Sequence, residues 1–425
     1  MSRRLVRGLG PGAALLLILV APMRAQESAA TSEVFRRYAG RVVKIQVTES
    51  SSAAKASIGS GFHVSPDGHV ITNYHVISSV VTDPDRYQVD VISTGGEQTR
   101  GTVVAIDVVH DLAVLSVGHS TPSHLTLGAD GPPQGSRVYA LGHPHDLGLA
   151  IVEGTHNGRR EHALYDRIHF TGSLNPGMSG GPAITADGVV MGINVSTAGD
   201  QISFLVPAER AGRLLERVRA PGYARPEPLL AAVTAQILEH QDAYLAGMFE
   251  DPPTTTLGSY VVPTQPAGFF RCWADVTTSE AEPYRIVDHQ CSTDDYVFIA
   301  GEQSSGVVEL RHRLMTSDEL DRFRMSSLLE FVFMPGDEDT PGDREHVTSF
   351  RCRTGNVESG RHAIRAAFCL RRYRKLEGLY DAVVKTVTLG DRQQGVVSTL
   401  TLAGVSATNA RLVAQRFLES IRWKE

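Results

Sequence analysis

The segment Thr171-Gly-Ser-Leu-Asn-Pro-Gly-Met-Ser-Gly-Gly-Pro182 constrains this chain more than any other. Ser179 sits in a glycine-rich turn that Gly-Gly-Pro follows. Gly177 can take backbone angles closed to residues with a Cβ, so the N–H groups around it can converge. Pro176 has no N–H and shapes the turn. Gly180 and Gly181 let the chain leave closely packed. Two upstream segments supply what a serine placed this way needs. Gly59-Ser-Gly-Phe62 leads through a strand-like run into Thr72-Asn-Tyr-His-Val76, and His110-Asp-Leu-Ala-Val-Leu115 sets a carboxylate at the head of an apolar run.

A serine hydroxyl is a weak nucleophile at neutral pH and needs a base to take its proton. His75, Asp111 and Ser179, in that order, carry the chemistry of an acyl-transfer triad. His75 is the candidate base, then the acid for a leaving amine. Asp111 would hold the imidazole tautomer and stabilise its charged form. Ser179 would attack. Asp90 and Asp107 are nearby carboxylates, but neither opens such an apolar run. The N–H groups of Gly177 and Ser179 form the candidate oxyanion hole, in which one donor is worth about 3–4 kcal/mol of barrier.

Short strand-like runs fill residues 34–125: Val42-Val-Lys-Ile-Gln-Val47, Ser60-Gly-Phe-His-Val64, Gln88-Val-Asp-Val-Ile92 and Thr102-Val-Val-Ala-Ile106. Gly, Pro and Asp turns separate them, and 126–206 repeats the style. The expectation is mostly β: two small antiparallel barrels with a cleft between them. His75 and Asp111 fall in the first and Ser179 in the second, so the site forms only when the barrels pack. Residues 207–218 have helical periodicity and close a domain over 34–219. Pro and Gly mark a linker at 220–228.

The motifs resemble the HtrA (DegP-like) family of trypsin-fold serine proteases. Four patterns carry the likeness: Gly59-Ser-Gly-Phe-x-Val with Gly68-His-Val-Ile-Thr-Asn-Tyr-His-Val76; Asp111-Leu-Ala-Val-Leu; Ala140-Leu-Gly-His-Pro144; and Asn175-Pro-Gly-x-Ser-Gly-Gly-Pro182. Gly192-Ile-Asn and Ile202-Ser-Phe-Leu-Val-Pro207 are similar to that family's last barrel strands. The likeness spans about 34–215. It implies a chymotrypsin/trypsin-like double β-barrel, protein or peptide substrates and no cofactor. His75, Asp111 and Ser179 carry over as the triad, and Gly177 with Ser179 as the oxyanion hole. Met178 stands where the family usually has Asn, either reshaping the primed side of the cleft or packing. No PDZ-like pattern follows residue 215, so peptide-sensing activation and cage-like assembly are not carried over.

In trypsin-like enzymes the residue six before the nucleophile lies at the base of the primary specificity pocket. Here it is Ser173, which offers no counter-charge to Arg or Lys. A small or medium aliphatic residue before the scissile bond is the expectation. Asn194, Val195 and Ser196 are expected to pair with substrate backbone as an added strand.

Arg3, Arg4, Arg7 and the short apolar run Ala13–Ala21 read as an export signal over 1–25, with an uncleaved anchor as the alternative, and the expectation is a periplasmic or extracellular protein without a membrane span once the signal is removed. The net charge of −6 gives no case for nucleic acid. Cys272, Cys291, Cys352 and Cys369 suggest two disulfides in an exported chain. They lack zinc-site spacing, and His143 and His145 read as surface or cleft residues, so no metal is expected.

Residues 229–425 read as an α+β region, opening on a helix within 227–250, with two possible repeats at about 258–336 and 345–425. Phe270-Arg-Cys272 recurs as Phe350-Arg-Cys352, and Gly306-Val-Val308 as Gly395-Val-Val397. The repeat favours the pairings Cys272–Cys291 and Cys352–Cys369 among the three possible. This half is expected to pack on the protease, recognise substrate or dock to an envelope partner. The leading expectation is an exported serine endopeptidase acting on envelope or misfolded proteins. The alternatives are a selective processing enzyme similar to bacterial glutamyl endopeptidases, and a latent, protease-like scaffold whose C-terminal half binds a partner.

Overall fold

The computed structural model describes residues 23–425, apart from Pro122, His162, 279–281, 335–343, 360–361, 390–392 and Glu425. The expected signal segment therefore falls outside the described residues except for 23–25, which open helix α1 (Met23–Tyr38). Val34 and Tyr38 of α1 are buried between the barrels.

Six strands close the first barrel: β1 (Val42–Glu49), β2 (Lys55–His63), β3 (His69–Thr72), β4 (Tyr87–Ile92), β5 (Gln98–Asp107) and β6 (Leu112–Ser116), in the order β1-β2-β3-β6-β5-β4. Its strands alternate inward Val and Ile with half-buried polar residues, the period that fills a small barrel. Helix α2 (Tyr74–Thr82) follows β3 directly.

The second barrel holds β7 (Thr126–Leu127), β8 (Arg137–Gly142), β9 (Ala150–Arg159), β10 (Ile168–Thr171), β11 (Pro182–Ile184), β12 (Val189–Thr197) and β13 (Ser203–Pro207). β11 pairs both β8 and β12, which closes the ring, and β7 adds on β12. Phe62, Ile71, Leu112 and Val114 of the first barrel pack against Tyr139, Leu141, Ile193 and Val206 of the second, sealed by Leu214 and Leu215 of α3 (Ala208–Arg219). Each fully buried side chain of this size contributes about 1.5–3 kcal/mol. The chain is mostly β, with the double barrel of trypsin-like proteins.

The stretch after α3 is not free. Tyr223 Oη donates to Val104 O at 2.9 Å and Arg225 Nε to Val103 O at 2.7 Å, fastening it to β5. Helix α4 (Leu229–Leu245) then packs Leu229, Val233 and Ile237 into the first barrel's outer core.

The C-terminal region adds a small sheet of β14 (Thr254–Leu257), β15 (Tyr260–Pro263) and β25 (Arg422–Trp423). Its main sheet has seven strands: β16 (Phe270–Thr278), β17 (Arg285–Thr293), β20 (Val308–Thr316), β24 (Gln394–Val405), β23 (Tyr380–Thr388), β22 (His362–Arg372) and β21 (Arg351–Ser359), in that spatial order. Helices α5 (Arg322–Phe333) and α6 (Ala407–Ser420) follow β20 and β24, and Asp321 and Ser406 cap them. Such caps satisfy N–H groups that have no partner inside the helix. Cys272 faces Cys291 across β16–β17 with sulfurs 2.13 Å apart, and Cys352 faces Cys369 across β21–β22 at 2.04 Å. Between β17 and β20 the chain leaves the sheet as the hairpin β18 (Val297–Ala300) and β19 (Gln303–Ser305), which packs on α2.

Candidate active site

His75 is the second residue of α2, where helix N–H groups lack internal acceptors. Asp111 supplies one. Its Oδ1 accepts from His75 N at 2.8 Å, and its Oδ2 lies 2.6 Å from His75 Nδ1. A negative group at a helix N-terminus also meets the favourable end of the dipole. Asn73 Nδ2 donates to Asp111 O at 2.7 Å, so the residues flanking the β3–α2 junction hold both ends of the aspartate. Asp111 has φ +59°, in the left-handed region that Asp tolerates better than most residues. The two neighbouring carboxylates are engaged elsewhere: Asp107 with His110 at 2.8 Å and Asp90 with Arg100 at 3.3 Å.

Carboxylate oxygens only accept, so the His75 proton facing Asp111 sits on Nδ1 and Nε2 is left with a free lone pair. Burial pulls the His75 pKa down. The charge and hydrogen bond of Asp111 act upward, Arg167 acts downward, and the net is a pKa raised above 6.5.

Asn175–Met178 forms a turn closed by Met178 N donating to Asn175 O at 3.0 Å. Gly177 has φ +96°, the third-position angle of a type II turn, with Pro176 before it as that turn favours. A Cβ on Gly177 would lie 2.4 Å from His143 O. His145 N donates to Pro176 O at 2.8 Å, and in a trans peptide the next N–H points the opposite way. The Gly177 N–H therefore points away from His145, and among the described residues neither it nor the Ser179 N–H has an acceptor. Lys44 and Lys55 grip Asp146 at 2.8 and 2.5 Å, which holds the His143–Asp146 turn in place.

Gly180 brings the barrels together. A Cβ there would stand 2.3 Å from Ser60 O and 2.9 Å from Asn73 N. Ser60 N in turn donates to Ser179 O at 2.8 Å. The Ser179 turn is thus pressed against the junction that carries His75. Ser179 Oγ donates to Val195 O at 3.5 Å rather than to His75. Catalytic hydrogen bonds of unliganded sites are often long and tighten with substrate.

Two of the expected substrate contacts need correction. Ser173 is exposed and does not line the cavity of about 170 Å³ beside Ser179; buried Leu174 takes that place, with Asn175 and Pro176. Asn194 cannot pair with a substrate strand, because its N–H donates to Gly181 O and its C=O accepts from Gly180 N, both at 2.9 Å. Its side chain bonds Leu141 O and Met178 O and braces the Ser179 turn. Val195 is half-buried and Ser196 exposed, and both line the cavity. Met178 is buried in the second barrel's core with Phe170 and Leu174, so it packs.

The wall opposite is not foreshadowed by any motif in the sequence. Tyr296, Val297 and Phe298 of the C-terminal region line a second cavity of about 800 Å³ together with His75, Asp111 and Arg167. The Phe298 ring meets His75 edge-on at 6.2 Å. A strand signal was present in Val297-Phe-Ile-Ala300, but nothing in it says which surface the strand meets. Among the described residues, no group of three or more His, Cys, Asp or Glu side chains is placed to hold a metal ion, and no helix is long and apolar enough to cross a membrane.

Two closed antiparallel barrels with these groups at their junction define the trypsin-like class. Residues 59–193 match the family model of the trypsin-like peptidase domain. The chain is 30% identical over 201 residues to a probable periplasmic DegP-like serine endoprotease of Chlamydia pneumoniae, covering 45% of this chain and 39% of that protein. It is 31% identical over 226 residues to the mitochondrial serine protease HTRA2 of Bos taurus, covering 49% and 48%. Among solved structures it is similar to a serine endoprotease from Yersinia pestis, with 27% identity, TM-score 0.40, and coverage of 45% of this chain and 68% of that one. The N-terminal half is thus a trypsin-like peptidase domain homologous to the DegP/HtrA serine proteases. The matched part spans less than half the length of those two relatives.

Proposed function

We propose that the protein is an exported serine endopeptidase that hydrolyses peptide bonds through an acyl-enzyme. Ser179 attacks the carbonyl, His75 Nε2 takes its proton, and Asp111 steadies the imidazolium. The N–H groups of Gly177 and Ser179 bind the oxyanion. His75 then returns the proton to the leaving amine, and water attacks the acyl-enzyme by the reverse path. The observation that carries this reading is the orientation of the Pro176–Gly177 peptide: its carbonyl is tied to His145 N, which leaves the Gly177 N–H for an oxyanion. The bond between His75 and Asp111 supports it further.

Envelope or misfolded proteins are the proposed substrates, on the strength of the DegP-like relatives named periplasmic. Leu174 in the cavity beside Ser179 favours a small or medium aliphatic residue before the scissile bond. We also read the C-terminal region as a duplication. Each copy has a cysteine-linked strand pair and a last strand that runs into a helix, and those last strands, β20 and β24, pair with each other. The hairpin β18–β19 is where the first copy departs, for the second continues in the sheet as β23.

Labelling with a fluorophosphonate probe tests the activity. Wild type should label and Ser179→Ala should not. A folded wild type that stays unlabelled would return the chain to the scaffold reading.

A further inference from the structure

The cavity of about 800 Å³ lies between the protease half and the C-terminal region. Three arginines line it, and they differ in their partners. Arg160 is held by Asp294 at 2.9 Å and Asp295 at 2.5 Å, and lies over the Phe204 ring. Arg271 is held by Asp294 at 2.7 Å. Arg167 is only 8% exposed, yet its side chain makes no hydrogen bond or ion pair with any described residue, and its Nη1 is buried without an acceptor. Asp111 and Asp295 are the carboxylates that attract it most strongly. Both are already committed, Asp111 to His75 and Asp295 to Arg160.

A guanidinium removed from water with no acceptor is costly unless an anion completes it. Its planar fork suits a carboxylate, and charge-assisted bonds of that kind are the strong ones. Position says which carboxylate. The cavity beside Ser179 and this one share Val195, Ser196 and Thr197 as a common wall. An extended substrate alternates its side chains between two faces. If the first residue before the scissile bond enters the smaller cavity, the second and fourth residues before that bond face the larger one, past His75 and Phe298.

We propose that this cavity is a substrate subsite for an acidic side chain, Asp or Glu, at the second or fourth residue before the scissile bond, and that Arg167 is its specificity-determining residue. The inference rests on the endopeptidase reading. It also assigns a task to the C-terminal region: Tyr296, Val297 and Phe298 supply the wall that closes the subsite.

The test compares peptide pairs that differ only by Glu against Gln at the second position, and again at the fourth, on the full chain. The Glu member at one of these positions should have a kcat/KM at least about tenfold higher, a factor worth 1.4 kcal/mol. Salt should reduce the ratio. Arg167→Gln should collapse it toward one, and Arg167→Lys should restore part of it. If Arg167→Gln does not fold, the wild-type ratio and its salt dependence still decide. A ratio near one at both positions overturns the proposal, while turnover of the Gln peptides leaves the endopeptidase reading intact. If nothing is cleaved and Ser179 does not label, calorimetric binding of the same pairs to the wild type decides: preference for Glu upholds the acidic subsite without proteolysis, and equal or absent binding overturns it.

Discussion

Tyr74 Oη donates to Ile299 O at 2.9 Å, so the residue beside His75 is anchored to the C-terminal region. Val297 and Ile299 share one buried cluster with Tyr74, Ile77 and Val81 of α2. The helix that presents His75 is therefore packed on both of its sides, by the barrel and by the β18–β19 hairpin.

Removing residues 229–425 should for that reason cost more than a binding function. The truncated protease half would expose Tyr74, Ile77 and Val81 to water, several side chains each worth about 1.5–3 kcal/mol when buried. It should melt well below the full chain and label poorly with fluorophosphonate. Tyr74→Phe is the milder probe. It leaves the Ile299 carbonyl unpaired and should cost about 1–3 kcal/mol by denaturant melt. A truncated protein as stable and as reactive as the full chain would show that the two halves are independent.

The pH dependence of activity follows from His75. As a base it must be neutral, so kcat/KM should rise with pH through its pKa, which Asp111 holds above 6.5, and then level. The stability linked to the same group runs the other way. A raised folded-state pKa contributes stability in full below about 6.5, and this is lost as pH rises through the folded value. Activity and this share of stability should therefore trend in opposite directions across that window, which pH–rate profiles and melts at matched pH would show. Asp111→Asn should lower kcat by about 10⁴-fold, since the amide no longer fixes the required tautomer.

The oxyanion turn makes a separate prediction. Gly177→Ala places a Cβ at a φ of +96° and 2.4 Å from His143 O, so the turn must shift. The expected loss is about 10²–10³ in kcat, the scale of one lost oxyanion donor. Asp146→Asn acts from further away by releasing Lys44 and Lys55 and loosening the turn that holds Pro176 O. A drop in kcat of up to about 100-fold, with KM less affected, is the scale of a small misplacement. Hydrogen bonds from the two lysines hold Asp146 at a pKa of about 2, so this clamp weakens only as pH falls from 3.8 toward 2. An activity loss centred near neutral pH then belongs to His75.

The double barrel was legible because its strands carry period-2 alternation and its turns carry Gly and Pro at fixed places. Gly177 and Gly180 announced the tight approaches that the backbone makes there. Asn194 and Ser173 were misjudged because backbone availability and pocket depth depend on neighbours distant in sequence: Gly180 and Gly181 consume the Asn194 amide, and Leu174 turns inward where Ser173 turns out. Arg167 left no mark at all. An arginine in a strand-like run reads as a solvated residue until the 294–298 segment, more than a hundred residues on, closes over it.

His312 supplies the last prediction, in the C-terminal sheet. It is fully buried; Nε2 donates to Pro263 O at 2.8 Å and Nδ1 accepts from Ser398 at 2.7 Å. The neutral Nε2–H tautomer satisfies both nitrogens, and burial pushes the pKa down to about 3. In the unfolded chain the same group protonates near 6.5. The unfolded state thus binds the extra proton between these values. The stability contribution is complete above about 6.5 and falls as pH drops toward 3, with a slope of up to about 1.4 kcal/mol per pH unit. His143 and His240, each held near 4 by burial, add to the slope in the same direction. His312→Gln should flatten the dependence while lowering stability at pH 7, because the amide cannot span both partners as the ring does. Denaturant melts from pH 7 to pH 4 would show it; a slope unchanged in the variant would mean that His312 does not drive the acid sensitivity of this half.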